Sequence, residues 1–262
     1  MAIDRLVVLL VDDQRFVATA VTQLLASEAD IQLLGCEDAR TAVAMANRVA
    51  PAIILQDLLM PGIDGIALIH AFRDNPATAR VPVVVLSGND DVATRARVLA
   101  AGAAGYLVKL PAKADLIACI RRHARRQSST SDPDVVSGAA DAVNVPRSGD
   151  QPVLDPEVLD SYDAPADFLQ DVIDEFIKDA AARVDTMLRA ASRGSTHTAK
   201  ATAHTLKGSS SAIGAMRLAE LCDQMERCAA SQPPAAQLAA IAGEIQKEFG
   251  RVCQALRARV DV

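Results

Sequence analysis

The chain of 262 residues is 50% hydrophobic and 23% charged, with a formal net charge of −6. This composition is typical of globular proteins and excludes a largely disordered chain, and the length allows one or two domains. Aromatic residues make up 3% and Trp is absent, so the cores must be built from aliphatic side chains, which favours helices over an all-β fold. No segment is basic enough to indicate a nucleic-acid partner except the run RRHARR (121–126), which is interpreted as the solvated end of a helix.

The N-terminus predicts a cytoplasmic protein with no membrane partner. Its apolar run, residues 6–11, is followed at once by Asp12 and Asp13 and is too short for a signal peptide or a membrane span. The cysteines lack CxxC spacing and lie among apolar residues, which predicts buried, reduced thiols rather than a disulfide framework. They are Cys36, Cys119, Cys222, Cys228 and Cys253.

Residues 1–127 alternate short β-branched runs with amphipathic stretches and form the first predicted domain. The predicted strands are RLVVLLV (5–11), IQLLGC (31–36), AIILQ (52–56), VPVVVLS (81–87) and GYLV (105–108). The predicted helices follow them at 16–27, 40–49, 65–73, 91–102 and 113–125. Five such β-α units predict an α/β fold, a doubly wound five-stranded parallel sheet with helices on both faces.

The composition then changes twice. Residues 128–152 are rich in Ser, Asp, Gly, Ala and Pro without sustained periodicity, which predicts a flexible linker. Residues 153–262 have helical spacing throughout: a short element at 153–162, then main helices near 165–193, 195–212, 215–231 and 234–260. Four main helices joined by short loops predict an all-α four-helix bundle as the second domain.

Polar residues end four of the five predicted strands or directly follow them. Asp12 and Asp13 end the first strand, Asp57 follows the third, Ser87 ends the fourth and Lys109 follows the fifth. The carboxyl ends of parallel strands meet at one edge of the sheet, where ligands of such folds bind. Converging carboxylates need a cation, and hard oxygen ligands suit Mg²⁺. The nearby lysine and hydroxyl would complete a phosphoryl site.

The blocks VDDQ, LQDLLMPGIDG, VVLSG and YLVKLP resemble the signatures of bacterial response-regulator receiver domains, which have a flavodoxin-like fold. The resemblance covers residues 5–126 and is closest to receivers of diguanylate-cyclase response regulators, although no cyclase domain follows. It implies a phosphoacceptor, a Mg²⁺ site, two phosphoryl-binding side chains and an aromatic switch. By this resemblance the phosphoacceptor is Asp57, and the Mg²⁺ site is made of Asp12, Asp13, Asp57 and the backbone carbonyl of Leu59. Ser87 and Lys109 would bind the phosphoryl oxygens, and Tyr106 would be the aromatic switch.

Two features depart from the pattern of the family or tune it. The family usually has Pro directly after the lysine, whereas this chain has Lys109-Leu110-Pro111, so the usual cis Lys-Pro bond is impossible. Leu59 and Asn89 occupy positions that the family uses to tune hydrolysis of the acyl phosphate. An apolar side chain at Leu59 cannot orient an attacking water, so we expect a long-lived phosphoryl group.

The stretch AHTLKGSSSAIGA (203–215) carries glycine and serine where a helix favours Ala or Leu, although glycine in a helix interior costs about 0.5–1 kcal/mol. Helical spacing brings one polar set to a common face: Lys200, His204, Lys207, Gly208 and Ser211. It turns an apolar set toward the bundle core: Ala203, Leu206 and Ile213. We therefore expect an outward-pointing histidine between lysines, with room for a partner and a phosphoryl group.

This stretch resembles the histidine phosphotransfer (HPt) domain, whose pattern is H-x-L-K-G-x-S. The resemblance implies that His204 is phosphorylated, that Lys207 is its charge partner and that Gly208 provides clearance. Glu226 falls where the family places a residue that hydrogen-bonds the imidazole and fixes its tautomer, and Gln224 is near enough to compete. A metal site made of His197, His204 and Cys222 is the alternative, but it lacks ligand spacing.

Together these features predict a phosphorelay protein. Asp57 would accept a phosphoryl group from a sensor histidine kinase, hybrid or not, and His204 would pass it to or from response regulators. No nucleotide-binding loop is recognisable, so no ATP-dependent kinase activity is expected. The alternative is an adaptor whose bundle only docks. Transfer within the molecule, separate partners for each domain, and phosphorylation-dependent self-association through the face near Tyr106 stay open.

Overall fold

A computed structural model of the chain describes residues 5–60, 62–88, 92–126, 153–160, 166–231 and 233–260. The predicted linker at 128–152 and the predicted tuning residue Asn89 lie outside these ranges. Among the described helices, none is long and apolar enough to cross a membrane.

The first domain contains the predicted parallel sheet and one hairpin that was not predicted. Its strands are β1 (Leu6–Val11), β2 (Ile31–Cys36), β3 (Ile53–Asp57), β4 (Leu59–Met60), β5 (Ile63–Asp64), β6 (Val83–Ser87) and β7 (Gly105–Val108). The order β2-β1-β3-β6-β7, with every pair parallel, confirms the doubly wound five-stranded sheet. Strands β4 and β5 pair antiparallel just beyond Asp57.

Helices cover both faces of this sheet, as near-continuous apolar strands require. They are α1 (Arg15–Leu25), α2 (Ala42–Val49), α3 (Gly65–Asp74), α4 (Val92–Ala100) and α5 (Lys113–Arg126), with one 3-10 turn at Ala39–Thr41. Every residue of the two central strands β3 and β6 is buried. The strand ends are therefore held rigidly at one edge of the sheet.

The second domain is all-helical, as predicted. It comprises a short α6 (Pro156–Asp160) and the four long helices α7 (Ala166–Ser192), α8 (Thr196–Ala212), α9 (Met216–Ala230) and α10 (Ala235–Val260). Each long helix packs on the next, and α10 packs on α7, which closes the bundle. As predicted, Ala203, Leu206 and Ile213 are fully buried in its core.

Gly214 forms the turn between α8 and α9. Its φ of +79° is a conformation that L side chains rarely adopt, and a Cβ there would lie 2.8 Å from the carbonyl oxygen of Asp155. The Asp155 amide donates to the Gly214 carbonyl at 2.9 Å. This glycine therefore lets the segment before α6 pack directly on the turn.

The two domains share a hydrophobic core. The cluster on one face of the sheet includes Val8 and Leu10 of β1 and continues through Phe16 of α1 into the bundle at Phe176 and Ala180 of α7. The rings of Phe16 and Phe176 meet edge to face, with centroids 5.7 Å apart and planes at 86°. This contact between the domains was not predicted from the sequence.

Candidate functional site

The acidic residues at the ends of β1 and β3 converge as predicted. Carboxylate oxygens of Asp12, Asp13 and Asp57 all lie within 4.8 Å of one another. The Lys109 ammonium lies 2.8 Å from Asp57 Oδ2 and 3.0 Å from Asp12 Oδ2, and all three of these side chains are almost completely buried. The strand ends thus form a compact pocket of three carboxylates and one ammonium.

Burial dominates the electrostatics of this pocket. It raises the pKa of Asp12 to about 7, against the opposing effect of the Lys109 charge. Burial likewise raises the pKa of Asp13. For Lys109, burial acts to lower the pKa, but Asp12 and Asp57 outweigh it and the pKa is raised, so the ammonium stays charged. The raised pKa values mean that ionising these buried carboxyl groups together is unfavourable, a cost that a bound cation would reduce.

The residues present fit a divalent cation. Asp13 Oδ1 is buried without a hydrogen-bond partner, which leaves a ligand oxygen directed into the pocket. Three hard carboxylates suit Mg²⁺. The Leu59 amide donates to Asp57 Oδ1 at 3.2 Å and orients that carboxylate, while metal binding by the Leu59 carbonyl stays a prediction.

The histidine–cysteine metal alternative finds no support in the described residues. In the part of the chain that the structure describes, the His, Cys, Asp and Glu side chains close enough together to hold a metal ion are Asp12, Asp13 and Asp57. All five cysteines are free; Cys36, Cys119 and Cys222 are buried, and Cys228 and Cys253 are half-buried.

The other predicted receiver residues lie around the same edge of the sheet. Ser87 is buried at the end of β6, and its carbonyl accepts from the Lys109 amide at 2.6 Å. Tyr106 of β7 is buried, with the Arg95 guanidinium 5.9 Å from its ring centroid. The described residues contain no cis peptide bond, and the loop after Lys109 turns instead through Leu110, whose φ is +55°.

In the second domain, His204 of α8 is oriented by Glu226 of α9. Its Nδ1 lies 2.7 Å from Glu226 Oε2. In the neutral ring, a proton on Nδ1 donates to this carboxylate and leaves the lone pair on Nε2. Gln224, the competing candidate, lines the cavity beside the histidine, and the structure brings Glu226 to the ring.

Lys207 is held by a residue that was not predicted from the sequence. Its ammonium lies 2.6 Å from Asp223 Oδ1 and 3.7 Å from Glu226 Oε1. The hydrogen bond from Lys207 lowers the pKa of Asp223. Asp223 lies one helical turn before Glu226 on α9. The i, i+3 spacing of these two carboxylates was the sequence signal that could have identified Asp223 as a partner of Lys207.

The predicted sites of the two domains border one cavity of about 790 Å³. The receiver side contributes Leu59, Ser87 and Gly88, and the bundle contributes His204, Lys207 and Gly208, among others. The histidine, predicted to point outward, borders a half-open cavity formed with the receiver of the same chain, and about a third of its side chain is exposed.

The clearance at Gly208 stays a prediction, and the structure shows a close backbone approach between Gly208 and Gly88 of the receiver. A Cβ on Gly208 would meet nothing within 4 Å, whereas a Cβ on Gly88 would lie 2.8 Å from Gly208 Cα. The backbone of α8 thus occupies the space that a side chain at Gly88 would fill. The close approach requires glycine on the receiver side, directly after Ser87.

A second residue that was not predicted from the sequence comes from α7. Arg183 donates to Asp13 Oδ2 at 3.0 Å and to Asp179 at 2.9 Å, and both Arg183 and Asp13 are largely buried. A residue of the bundle therefore reaches the acidic pocket of the receiver. Asp13 and Arg183 are 170 positions apart, so no local pattern could have revealed the pair.

Comparisons with known proteins identify both halves. Residues 8–121 match the model of the response regulator receiver domain, and residues 171–259 match that of the Hpt domain. The chain is 35% identical over 113 residues to the response regulator PleD of Caulobacter vibrioides, a match over 39% of this chain and 25% of PleD. It is 32% identical over 116 residues to the response regulator GacA of Pseudomonas aeruginosa, a match over 44% of this chain and 53% of GacA.

A solved response regulator from Desulfuromonas acetoxidans is 30% identical, with a TM-score of 0.40, covering 44% of this chain and 94% of that one. The chain spans about a quarter of the length of PleD and about half of the length of GacA. The two family models together indicate phosphorelay signalling and do not favour the adaptor alternative. The chain thus combines a response-regulator receiver domain at residues 8–121 with an Hpt domain at residues 171–259.

Proposed function

We propose that this chain is a phosphorelay intermediate that exchanges a phosphoryl group between Asp57 and His204. One observation carries the proposal: His204 and Ser87, which ends the strand beside that of Asp57, border the same cavity. A sensor histidine kinase would load Asp57, and response regulators would exchange phosphoryl groups with His204. The chain would act without ATP, because its sequence has no recognisable nucleotide-binding loop.

The receiver side of the proposal rests on the pocket at the strand ends. Asp57 is the nucleophile, and its Oδ1 is already oriented by the Leu59 amide. Mg²⁺ held by Asp12, Asp13, Asp57 and the Leu59 carbonyl would supply charge neutralisation at the phosphoryl oxygens. Lys109 and Ser87 would bind the same oxygens, and the Lys109 ammonium already lies on Asp57 Oδ2. We propose Tyr106 as the aromatic switch, whose side chain changes position when Asp57 is phosphorylated.

The histidine side rests on the contact with Glu226. The Nε2 lone pair of His204 attacks phosphorus, a P–N bond forms, and the P–O bond to Asp57 breaks with the electron pair leaving on the carboxylate. The ring becomes positively charged, and the Glu226 carboxylate on Nδ1–H balances that charge. The reverse reaction returns the phosphoryl group to Asp57 through the same atoms, so flux can run in either direction.

The test is labelling of the full chain with a radioactive acyl phosphate and Mg²⁺. Wild type, Asp57→Ala and His204→Gln are compared, with a chelator control for wild type. Acyl phosphate is lost in alkali, whereas phosphohistidine survives alkali and is lost in acid. Alkali-stable label in wild type that disappears in both variants and with chelator is the expected result.

Alkali-labile label on Asp57 with no alkali-stable label in wild type would contradict the Asp57–His204 exchange. Alkali-stable label that persists in Asp57→Ala would contradict the order of transfer, since His204 would then react with the donor directly. Equal labelling with and without chelator would contradict the need for a divalent cation.

A further inference from the structure

We infer that the exchange between Asp57 and His204 is intramolecular, because the Hpt bundle is docked on the receiver of its own chain through helices α1 and α7. The geometry further assigns Arg183 as the positioning residue of this interface. The inference rests on the proposed function and adds the partner: the receiver served by His204 is the one in the same molecule.

Helix α1 is apolar on two faces. Val17, Val21 and Leu24 form the stripe that such a helix needs against its own sheet. Phe16 and Ala20 form a second stripe, and they are 0% and 1% exposed. In the full chain the Phe16 ring of this stripe lies against Phe176 of α7, and α7 packs on α1. An isolated receiver would lose that cover from Phe16.

Three contacts fix the alignment of the two helices. Gln23 donates to Asp171 at 3.3 Å near one end. The rings of Phe16 and Phe176 meet in the middle, and Asp13 meets Arg183 at the other end. The contacts run in opposite order along the two segments, so α7 lies antiparallel to α1. Apolar packing flanked by polar contacts at both ends defines one register.

Arg183 connects this register to the chemistry. Asp179, one turn before it on α7, accepts from Arg183 Nε, and Arg183 Nη2 donates to Asp13 Oδ2. The other oxygen of Asp13 stays unpartnered in the acidic pocket. Because α8 packs on α7, fixing α7 against Asp13 also fixes where α8 presents His204. Arg183 touches neither reacting atom and acts through position.

The docked arrangement also restricts His204. Its side chain borders the cavity that the receiver and the bundle line together, and the backbone of α8 meets the receiver at Gly88. A second response regulator must displace the attached receiver before it reaches the histidine. A tethered partner acts at an effective concentration in the millimolar range, about a thousandfold above a free partner at about 1 µM.

The experiment compares rates of phosphohistidine formation in full-length chains. Wild type is measured over a roughly fiftyfold range of protein concentration, beside an equimolar mixture of Asp57→Ala and His204→Gln chains. In the mixture, the phosphoryl group must cross between molecules. An intramolecular step has a rate constant that does not change with protein concentration. We expect the mixture to be at least about a hundredfold slower at about 1 µM.

Two pairs of variants test the interface. Ala20→Arg places a charge on the buried second stripe, and Thr22→Arg places it at an exposed site of the same helix. Arg183→Ala removes the ion pair to Asp13, and Arg189→Ala removes an exposed i, i+4 pair on the same helix. We expect Ala20→Arg and Arg183→Ala to slow phosphohistidine formation at least about tenfold while Asp57 still accepts phosphate. Arg183→Lys should restore part of the rate.

The outcomes separate the two claims. Absence of phosphohistidine in both wild type and mixture defeats the proposed function itself. Phosphohistidine in wild type at a rate that rises in proportion to concentration, or is matched by the mixture, overturns intramolecular transfer and leaves the relay intact. Equal rates for Ala20→Arg, Thr22→Arg and wild type overturn the α1–α7 interface, and equal rates for Arg183→Ala and Arg189→Ala overturn the role of Arg183.

Discussion

Gly88 of the receiver and Gly208 of the Hpt domain meet backbone to backbone, but they tolerate a side chain unequally. A Cβ at Gly88 would lie 2.8 Å from Gly208 Cα and 3.0 Å from its carbonyl oxygen, whereas a Cβ at Gly208 would lie in open space. The obstructing atoms belong to the backbone of a helix and cannot rotate away. The distance between the two domains at this point is therefore set by the absence of one Cβ.

We predict that Gly88→Ala slows the transfer from Asp57 to His204 about tenfold to a hundredfold, because α8 must shift away from the receiver. The rate is measured as alkali-stable label after loading of Asp57. Gly208→Ala is the matched control: it should keep the rate and raise the stability of α8 by about 0.5–1 kcal/mol. Equal loss of transfer in both variants would contradict the geometry.

A second prediction concerns Glu226. Glu226→Gln weakens the charge-assisted hydrogen bond to His204, and such bonds contribute about 1.5–3 kcal/mol, so phosphohistidine formation should slow about tenfold to a hundredfold. Single-turnover transfer from loaded Asp57 measures it. Gln224→Ala, at a neighbouring position that lines the same cavity, should leave the rate within a factor of about two. The reverse order of effects would assign the ring contact to Gln224.

A third prediction concerns the lifetime of the acyl phosphate. Leu59 is half-buried beside Asp57 and carries no group that orients water. In the His204→Gln chain, which cannot drain Asp57, we expect a half-life of minutes or longer in the presence of Mg²⁺. Leu59→Asn should shorten it. Loss of label within seconds in the His204→Gln chain would show that Leu59 does not limit hydrolysis.

A fourth prediction concerns pH and the Lys207–Asp223 pair. The hydrogen bond from Lys207 lowers the pKa of Asp223 below its ordinary value of 3.8. The ionised carboxylate therefore stabilises the fold above about pH 4, and this contribution is lost as the pH falls through the lowered pKa. Because Asp223 is a third exposed, the contribution is at most about 1 kcal/mol.

Urea denaturation of wild type and Asp223→Asn tests this sign. The difference in unfolding free energy should be constant from about pH 5 to 8 and shrink below about pH 4. In a Lys207→Met background the same substitution should make a smaller difference. A difference that grows toward acid would show that Asp223 is destabilising when ionised.

The acidic pocket could be predicted from the sequence because its parts follow a simple rule. Parallel strands bring their carboxyl ends to one edge, so Asp12, Asp57 and Lys109 must meet once the strands are recognised. The contact between His204 and Glu226 followed from a family pattern on neighbouring helices. The first follows from the pattern of the strands, whereas the second was implied only by the resemblance to the HPt family.

The contact between the domains could not be predicted in the same way. Arg183 has an ordinary i, i+4 partner in Asp179, which gives no reason to seek a second one in the other domain. The composition of residues 128–152 predicts a flexible linker, which permits either docked or separate domains. One signal was present: Phe16 widens the apolar face of α1, and the structure places its ring on Phe176 of α7. The requirement for glycine at position 88 could not be predicted from the sequence, because it depends on how closely the backbones of Gly88 and Gly208 approach in three dimensions.

The position of His204 in the cavity between the two domains has a consequence for the order in which phosphoryl donors and acceptors reach Asp57. Asp57 is 2% exposed, and its neighbours Leu58, Leu59 and Ser87 line the cavity that His204 borders. Two imidazoles cannot approach one phosphorus along the same line, so a donor histidine of a kinase and His204 must use that approach in turn. A kinase histidine that used this approach would have to displace the Hpt bundle from the cavity. Under the proposed relay, loading of Asp57 and transfer to His204 therefore alternate.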